Sequence, residues 1–220
     1  QMCIRDSTMI GVGNEQWERN GNRWTERYKI FEEEIHKKDP AMKIVGAAGP
    51  APNYFGGAYG WANDEVNKGN TDFAYVLDEH FYMEPQWFLD NDHIYDDYRT
   101  KYPVTDTIKV FAGEYAAHTT ITDEVGKKNN VESAIAEAAF MTGMERNADI
   151  VYMSSFAPLF ARWNFTQWKQ DMIWFNDNQV FGSPSYYVQK MYMQNNGSYT
   201  LKDTVTDNYD KIYKTVSYDE

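Results

Sequence analysis

Two glutamates are distinguished by their places in the chain. Glu15 closes the short apolar run 9–13, with Asn14 between, and Glu114 closes the run 108–112, with Gly113 between. The chain carries 33 acidic residues, so a glutamate chosen at random is a solvated surface group. A glutamate that ends a buried strand and is flanked by Gly or Asn is not part of an amphipathic helix face. Carboxyl groups at the ends of two parallel strands are equipped for glycoside hydrolysis: one protonates the leaving oxygen and the other attacks the sugar carbon or activates a water. A third run, 73–77, is closed by Asp78-Glu79-His80-Phe81-Tyr82. His80 reads either as a hydrogen-bonded rim histidine or as a residue that positions a carboxylate or a sugar hydroxyl, with Tyr82 adding a second polar tip. Asp78 and Glu79 could instead bind a metal with His80, but His36, His93 and His118 show no ligand spacing to support it.

The elements that must hold these groups alternate. Apolar runs at 9–13, 43–48, 73–77, 108–112 and 150–154 read as short strands. A helix carrying Trp24, Tyr28, Phe31 and Ile35 on one face follows the first, and a Gly-, Asn- and Tyr-rich loop over 51–60 follows the second. Residues 86–99 show weak helical periodicity. Residues 131–146 are the clearest helix, with a face of Val131, Ala134, Ile135, Ala138, Met141 and Thr142 and with Glu and Arg off that face. A long aromatic loop leads to a last helix over about 185–194, stopped by Asn195-Asn196-Gly197. Continuous apolar strands alternating with helices predict an α/β fold with a parallel sheet, either open and doubly wound or part of a (β/α)8 barrel. In both, function collects at the C-terminal strand ends.

Composition narrows the partners. Among 220 residues the net charge is −12, which disfavours a non-specific nucleic-acid binder and an anionic membrane surface. No apolar run approaches the roughly 20 residues of a spanning helix. Aromatic residues make up 16% of the chain, which suits a neutral carbohydrate partner. Trp61, Trp87, Trp163, Trp168 and Trp174 are candidates to line a sugar cleft, most of them expected to be packing. The single cysteine, Cys3, allows no intrachain disulfide. Gly11-Val12-Gly13 lacks the third glycine of a dinucleotide fingerprint, and Ser154-Ser155 lacks the frame of a nucleophile elbow.

The stretches VGNEQW (12–17), DEHFYMEPQWF (78–88), VFAGEYA (110–116), AEAAFMTGMERNAD (136–149), FAPLFA (156–161) and SPSYYVQKMY (183–192) resemble the α-L-arabinofuranosidases of glycoside hydrolase family 51, in clan A. The resemblance runs from about residue 9 to 196. It implies a partial (β/α)8 barrel covering about strands 4 to 8 over residues 8–196, and the start of a C-terminal β-sandwich domain over 197–220. Residues 1–7 fit no element and are set apart as a leader of doubtful origin. It further implies a retaining hydrolase that releases terminal α-L-arabinofuranosyl residues from arabinan or arabinoxylan, with Glu15 as acid/base and Glu114 as nucleophile. Asn14 would bind the sugar 2-hydroxyl, His80 and Tyr82 would sit beside the nucleophile, and Asn176 would be a further sugar contact. Tyr115 stands where many relatives have Trp. No cofactor is implied, since two carboxyl groups and water suffice. The expected partner is an arabinose-containing polysaccharide or oligosaccharide, with a homo-oligomer open for the full-length protein and export favoured over a cytoplasmic site. With the first three strands missing, the fragment alone is expected to be inactive and prone to self-association. The alternatives are another clan A activity, such as an endoglucanase or xylanase, and a non-catalytic carbohydrate-binding barrel.

Overall fold

The computed structural model describes residues 7–16, 23–118, 129–166, 168–202 and 211–219. Most of the leader, Trp17 of the first quoted stretch, and residues 203–210 of the C-terminal stretch lie outside the described residues. The chain divides into two compact units, residues 1–80 with 98–113, and residues 81–97 with 114–220.

In the first unit, β1 (Met9–Val12) is followed by α1 (Trp24–Lys38), β2 (Lys43–Gly49), α2 (Pro52–Asn67) and the first part of β3 (Val76–Met83). A short α3 (Pro85–Asp90) belongs to the second unit; α4 (Tyr98–Lys101), a 3-10 turn at Pro103–Asp106 and the first part of β4 (Lys109–Ala117) return to the first. β1 and β2 pair in parallel from Met9↔Lys43 to Val12↔Gly46, and β2 pairs in parallel with β3 from Val45↔Val76. β4 follows β3 in the sheet, joined at its start by the Lys109 N–H to the Tyr75 carbonyl at 3.1 Å. β1 is the edge, and only Val12 of its four residues is buried. The apolar run that suggests a strand covered on both faces is buried only at Val12.

Tyr28 anchors α1. Its ring meets Trp24, Trp61 and Phe73 edge-on at 5.7, 4.9 and 6.0 Å, and its hydroxyl donates to the Phe73 carbonyl at 2.7 Å. The buried face of α1 is Trp24, Tyr28 and Glu32, an i, i+4, i+8 line. Phe31, expected on that face, is exposed. Residues 51–60, expected as a loop, open helix α2 instead. Pro52 sits in the first turn, where its missing N–H costs nothing. Phe55, Ala58, Tyr59 and Ala62 then form a buried stripe that outweighs the low helix propensity of three glycines, about 1 kcal/mol each.

In the second unit, the ends of β3 and β4 run side by side, with the His118 N–H donating to the Met83 carbonyl at 2.9 Å. α5 (Val131–Arg146), β5 (Val151–Phe156), β6 (Phe160–Arg162), β7 (Ile173–Phe175), β8 (Val180–Gly182), α6 (Pro184–Asn195), β9 (Tyr199–Leu201) and β10 (Val216–Tyr218) follow. β5 lies beside β4, and β6, β7 and β8 form a small separate sheet within the expected aromatic loop. β9 and β10 pair antiparallel. α5 is the helix the sequence predicts, capped by the Asn130 side chain accepting the Ser133 N–H. Its buried surface is wider than the expected face. Ala134, Met141 and Thr142 of that face are buried and Val131 and Ile135 are exposed, while Glu137, Phe140 and Met144 outside it are buried as well. Phe140 meets Phe81, Phe88 and Tyr115 at 5.0–6.1 Å and centres the core of this unit.

Candidate active site

β3 is longer than its apolar run and carries the chemistry inside it. Alternation along a strand sends Asp78, His80 and Tyr82 to one face and Glu79 and Phe81 to the other. Glu79 is fully buried and accepts the hydroxyls of Tyr59 at 2.7 Å and Tyr98 at 3.1 Å. Burial beside that carboxylate raises the Tyr98 phenol well above its ordinary range. Asp78, Glu79 and His80 therefore do not converge as a ligand set for one ion, because the middle residue faces the helices.

In the first unit, His80 bridges two carboxylates. Its Nδ1 is hydrogen-bonded to Glu15 Oε1 at 2.9 Å and its Nε2 to Asp78 Oδ2 at 3.1 Å. The imidazole is 2% exposed and the Glu15 side chain 26%, so a buried ring holds a solvent-reachable acid. Local backbone aims Glu15. Gly13 has a left-handed φ of 88°, and a Cβ there would collide with the Trp24 ring. Glu15 itself has φ 43°, a conformation that costs a non-glycine residue about 1–3 kcal/mol and persists where surrounding contacts impose it. Asn14 is exposed between them, its carbonyl accepting from the Gln16 amide at 2.8 Å. Room for Asp78 comes from Gly113, where a Cβ would fall on Asp78 Oδ1.

In the second unit, the Tyr82 hydroxyl donates to Glu114 Oε2 at 2.6 Å, the short length of a charge-assisted bond. The Trp168 ring lies 4.5 Å from that of Tyr82, tilted by 53°, and is 44% exposed. Of the five tryptophans singled out in the sequence, Trp61 and Trp87 pack into aromatic cores, and Trp163 packs on Trp174. Trp168 is in ring contact with Tyr82, a candidate site residue. Tyr115 points away from Glu114. It is buried with Phe140 and Phe156, and its hydroxyl accepts from the Gln189 amide at 2.6 Å. Asn176 is committed to a turn, its Oδ1 accepting the N–H groups of Asn178 and Gln179 at 2.9 and 2.8 Å between β7 and β8. No contact joins it to the other candidates among the described residues.

The structure thus ties Glu15 to His80 and Glu114 to Tyr82, while Asn14 and Asn176 have no such tie. Sequence reasoning considered Asp78 only as a metal ligand. The signal that finds its role is alternation: Asp78 lies two residues before His80 on one strand face.

Comparison with known proteins converges on one family. Residues 7–101 match the family model described as the α-L-arabinofuranosidase 1 domain, and residues 113–217 match that of the α-L-arabinofuranosidase C-terminal domain. The chain is 37% identical to an extracellular exo-α-L-arabinofuranosidase of Streptomyces chartreusis, over 90% of this chain and 22% of the relative. It is 30% identical to α-L-arabinofuranosidase 1 of Arabidopsis thaliana, over 90% of this chain and 26% of the relative. It thus spans about a quarter of the length of these relatives. An arabinose-bound α-L-arabinofuranosidase of glycoside hydrolase family 51 superposes with a TM-score of 0.71 at 29% identity, over 90% of this chain and 30% of that one. The arabinose complex of the Thermotoga maritima enzyme, with a TM-score of 0.65 at 14% identity over 87% and 41%, shares the fold. The chain belongs to the α-L-arabinofuranosidases of glycoside hydrolase family 51.

Proposed function

We propose that this chain supplies the two catalytic glutamates of a retaining α-L-arabinofuranosidase that releases terminal α-L-arabinofuranosyl residues from arabinan or arabinoxylan. The observation that carries the reading is that β3 gives each glutamate a polar partner, His80 to Glu15 and Tyr82 to Glu114. The family relationship supports the substrate class, and the extracellular S. chartreusis relative supports export. In this reading β1 to β5 are the fourth to eighth strands of a (β/α)8 barrel over residues 8–196, and β9 and β10 begin a C-terminal β domain over 197–220.

The chemistry runs in two displacements. Glu114 attacks the anomeric carbon as Glu15 passes its proton to the departing glycosidic oxygen, leaving a glycosyl ester on Glu114. Glu15, now ionised, takes a proton from water, and that water displaces Glu114 and frees arabinose with its anomeric configuration retained. Tyr82 orients the attacking carboxylate, Trp168 supports the Tyr82 ring, and Asn14 binds the 2-hydroxyl. Two carboxyl groups and water complete the reaction without a cofactor.

The test is Glu114→Ala in the full-length enzyme with an activated aryl arabinofuranoside. Turnover should vanish and return on adding azide, as an arabinofuranosyl azide of inverted configuration. Normal turnover by the variant would refute the assignment.

A further inference from the structure

We propose that Asp78 is a positioning residue of this reaction, fixing the tautomer and orientation of His80 and, through it, the acid form of Glu15. The proposal rests on the arabinofuranosidase reading above and deepens it. An ionised carboxylate only accepts hydrogen bonds, so the Asp78 contact at 3.1 Å requires a proton on His80 Nε2. In the neutral ring this leaves Nδ1 with a bare lone pair 2.9 Å from Glu15 Oε1. That lone pair accepts a hydrogen bond from Glu15 when the Glu15 carboxyl is protonated, and the protonated carboxyl is the species that must donate to the leaving oxygen. The first displacement takes the Glu15 proton to the leaving oxygen, and the proton that Glu15 takes from water in the second displacement restores the contact with Nδ1 while Nε2 keeps its proton on Asp78. Without Asp78, the neutral ring is free to carry its proton on Nδ1 and favour the wrong form of Glu15 before the first step.

Two features show that the site is built for this contact. The imidazole is 2% exposed, so water does not compete for Nε2. Asp78 Oδ1 is buried without a hydrogen-bond partner, and the space it occupies exists because residue 113 has no side chain. A fold that tolerates an unpaired carboxylate oxygen, and uses a glycine to seat it, retains Asp78 for its other oxygen.

The discriminating variant is Asp78→Asn in the full-length enzyme, which preserves shape and removes the charge. kcat/KM, which reports the first displacement, is measured for a dinitrophenyl arabinofuranoside, whose leaving group needs no acid, and for a methylphenyl arabinofuranoside, whose leaving group does. Asp78→Asn should lower kcat/KM for the methylphenyl substrate by about tenfold or more and leave the dinitrophenyl substrate unchanged. Glu15→Ala should show the same pattern more strongly. Asp78→Ser, too short to crowd Gly113, should repeat it. If Asp78→Asn lowers both substrates equally, or neither, the positioning role is overturned. If Glu15→Ala itself lacks the leaving-group pattern, the acid/base assignment is wrong and the role of Asp78 falls with it.

Discussion

Glu137 is a carboxyl that the proposed chemistry does not use, and it should control how stability varies with pH. It lies on α5 with no exposed surface. One oxygen accepts the Ala117 N–H at 2.9 Å; Oε2 has no partner in hydrogen-bonding geometry, although the Ser185 hydroxyl lies close enough to favour the ionised form. Burial outweighs both and pushes the carboxyl from 4.5 up to about 8. The native state therefore holds a proton that the unfolded chain releases. This contribution to stability is fully present below 4.5, is lost as pH rises, and levels off above about 8. At about 1.4 kcal/mol per unit, the loss between acid and neutral pH is roughly 3 kcal/mol. Glu137→Gln keeps the acceptor for Ala117, places an amide toward Ser185 and never ionises. Urea midpoints followed by tryptophan fluorescence from about pH 5 to about pH 8 should fall with pH for wild type relative to the variant. Groups common to both proteins cancel in that difference. Parallel curves would refute the claim that a neutral Glu137 is built into the native state.

Two further perturbations probe the site and the core. Tyr82→Phe keeps the ring contact with Trp168 and removes the 2.6 Å bond to Glu114. Hydrogen bonds to charged groups are worth about 1.5–3 kcal/mol, so kcat/KM should fall by roughly 10- to 100-fold, and unchanged kinetics would exclude Tyr82 as the support of Glu114, the proposed nucleophile. Gly143→Ala places a methyl group on the Asp92 backbone carbonyl, where the chain after α3 meets α5. The backbone cannot swing aside as a side chain can, so stability should drop by about 3 kcal/mol, and an unaltered thermal midpoint would contradict that packing.

The strands were legible because their signal is local. Five- and six-residue apolar runs mark β1, β2 and β5, and α5 runs from Val131 to Arg146 as the pattern predicts. The places of the two glutamates follow the same local signal: Glu15 comes after β1, and Glu114 lies within β4 just past its apolar run. Faces and extents were not legible. Phe31, Val131 and Ile135 fit an apolar stripe by spacing but remain exposed, because no described element packs on that side of α1 or α5. Residues 51–60 read as a loop because glycine lowers helix propensity locally, whereas the buried Tyr59 that helps hold α2 finds Glu79, Tyr98 and Tyr102 farther along the chain.

The same division holds in the candidate site. Sequence alone determined which residue types follow each apolar run, and strand alternation puts Asp78, His80 and Tyr82 on one face, since both follow from covalent connectivity. Only the tertiary structure decided that Glu79 turns to Tyr59 and Tyr98, that Asp78 holds His80 in a space left by Gly113, and that Trp168 rests on Tyr82. Each of these depends on atoms brought together from distant parts of the chain, and a pattern read along the sequence has no term for what lies across the gap.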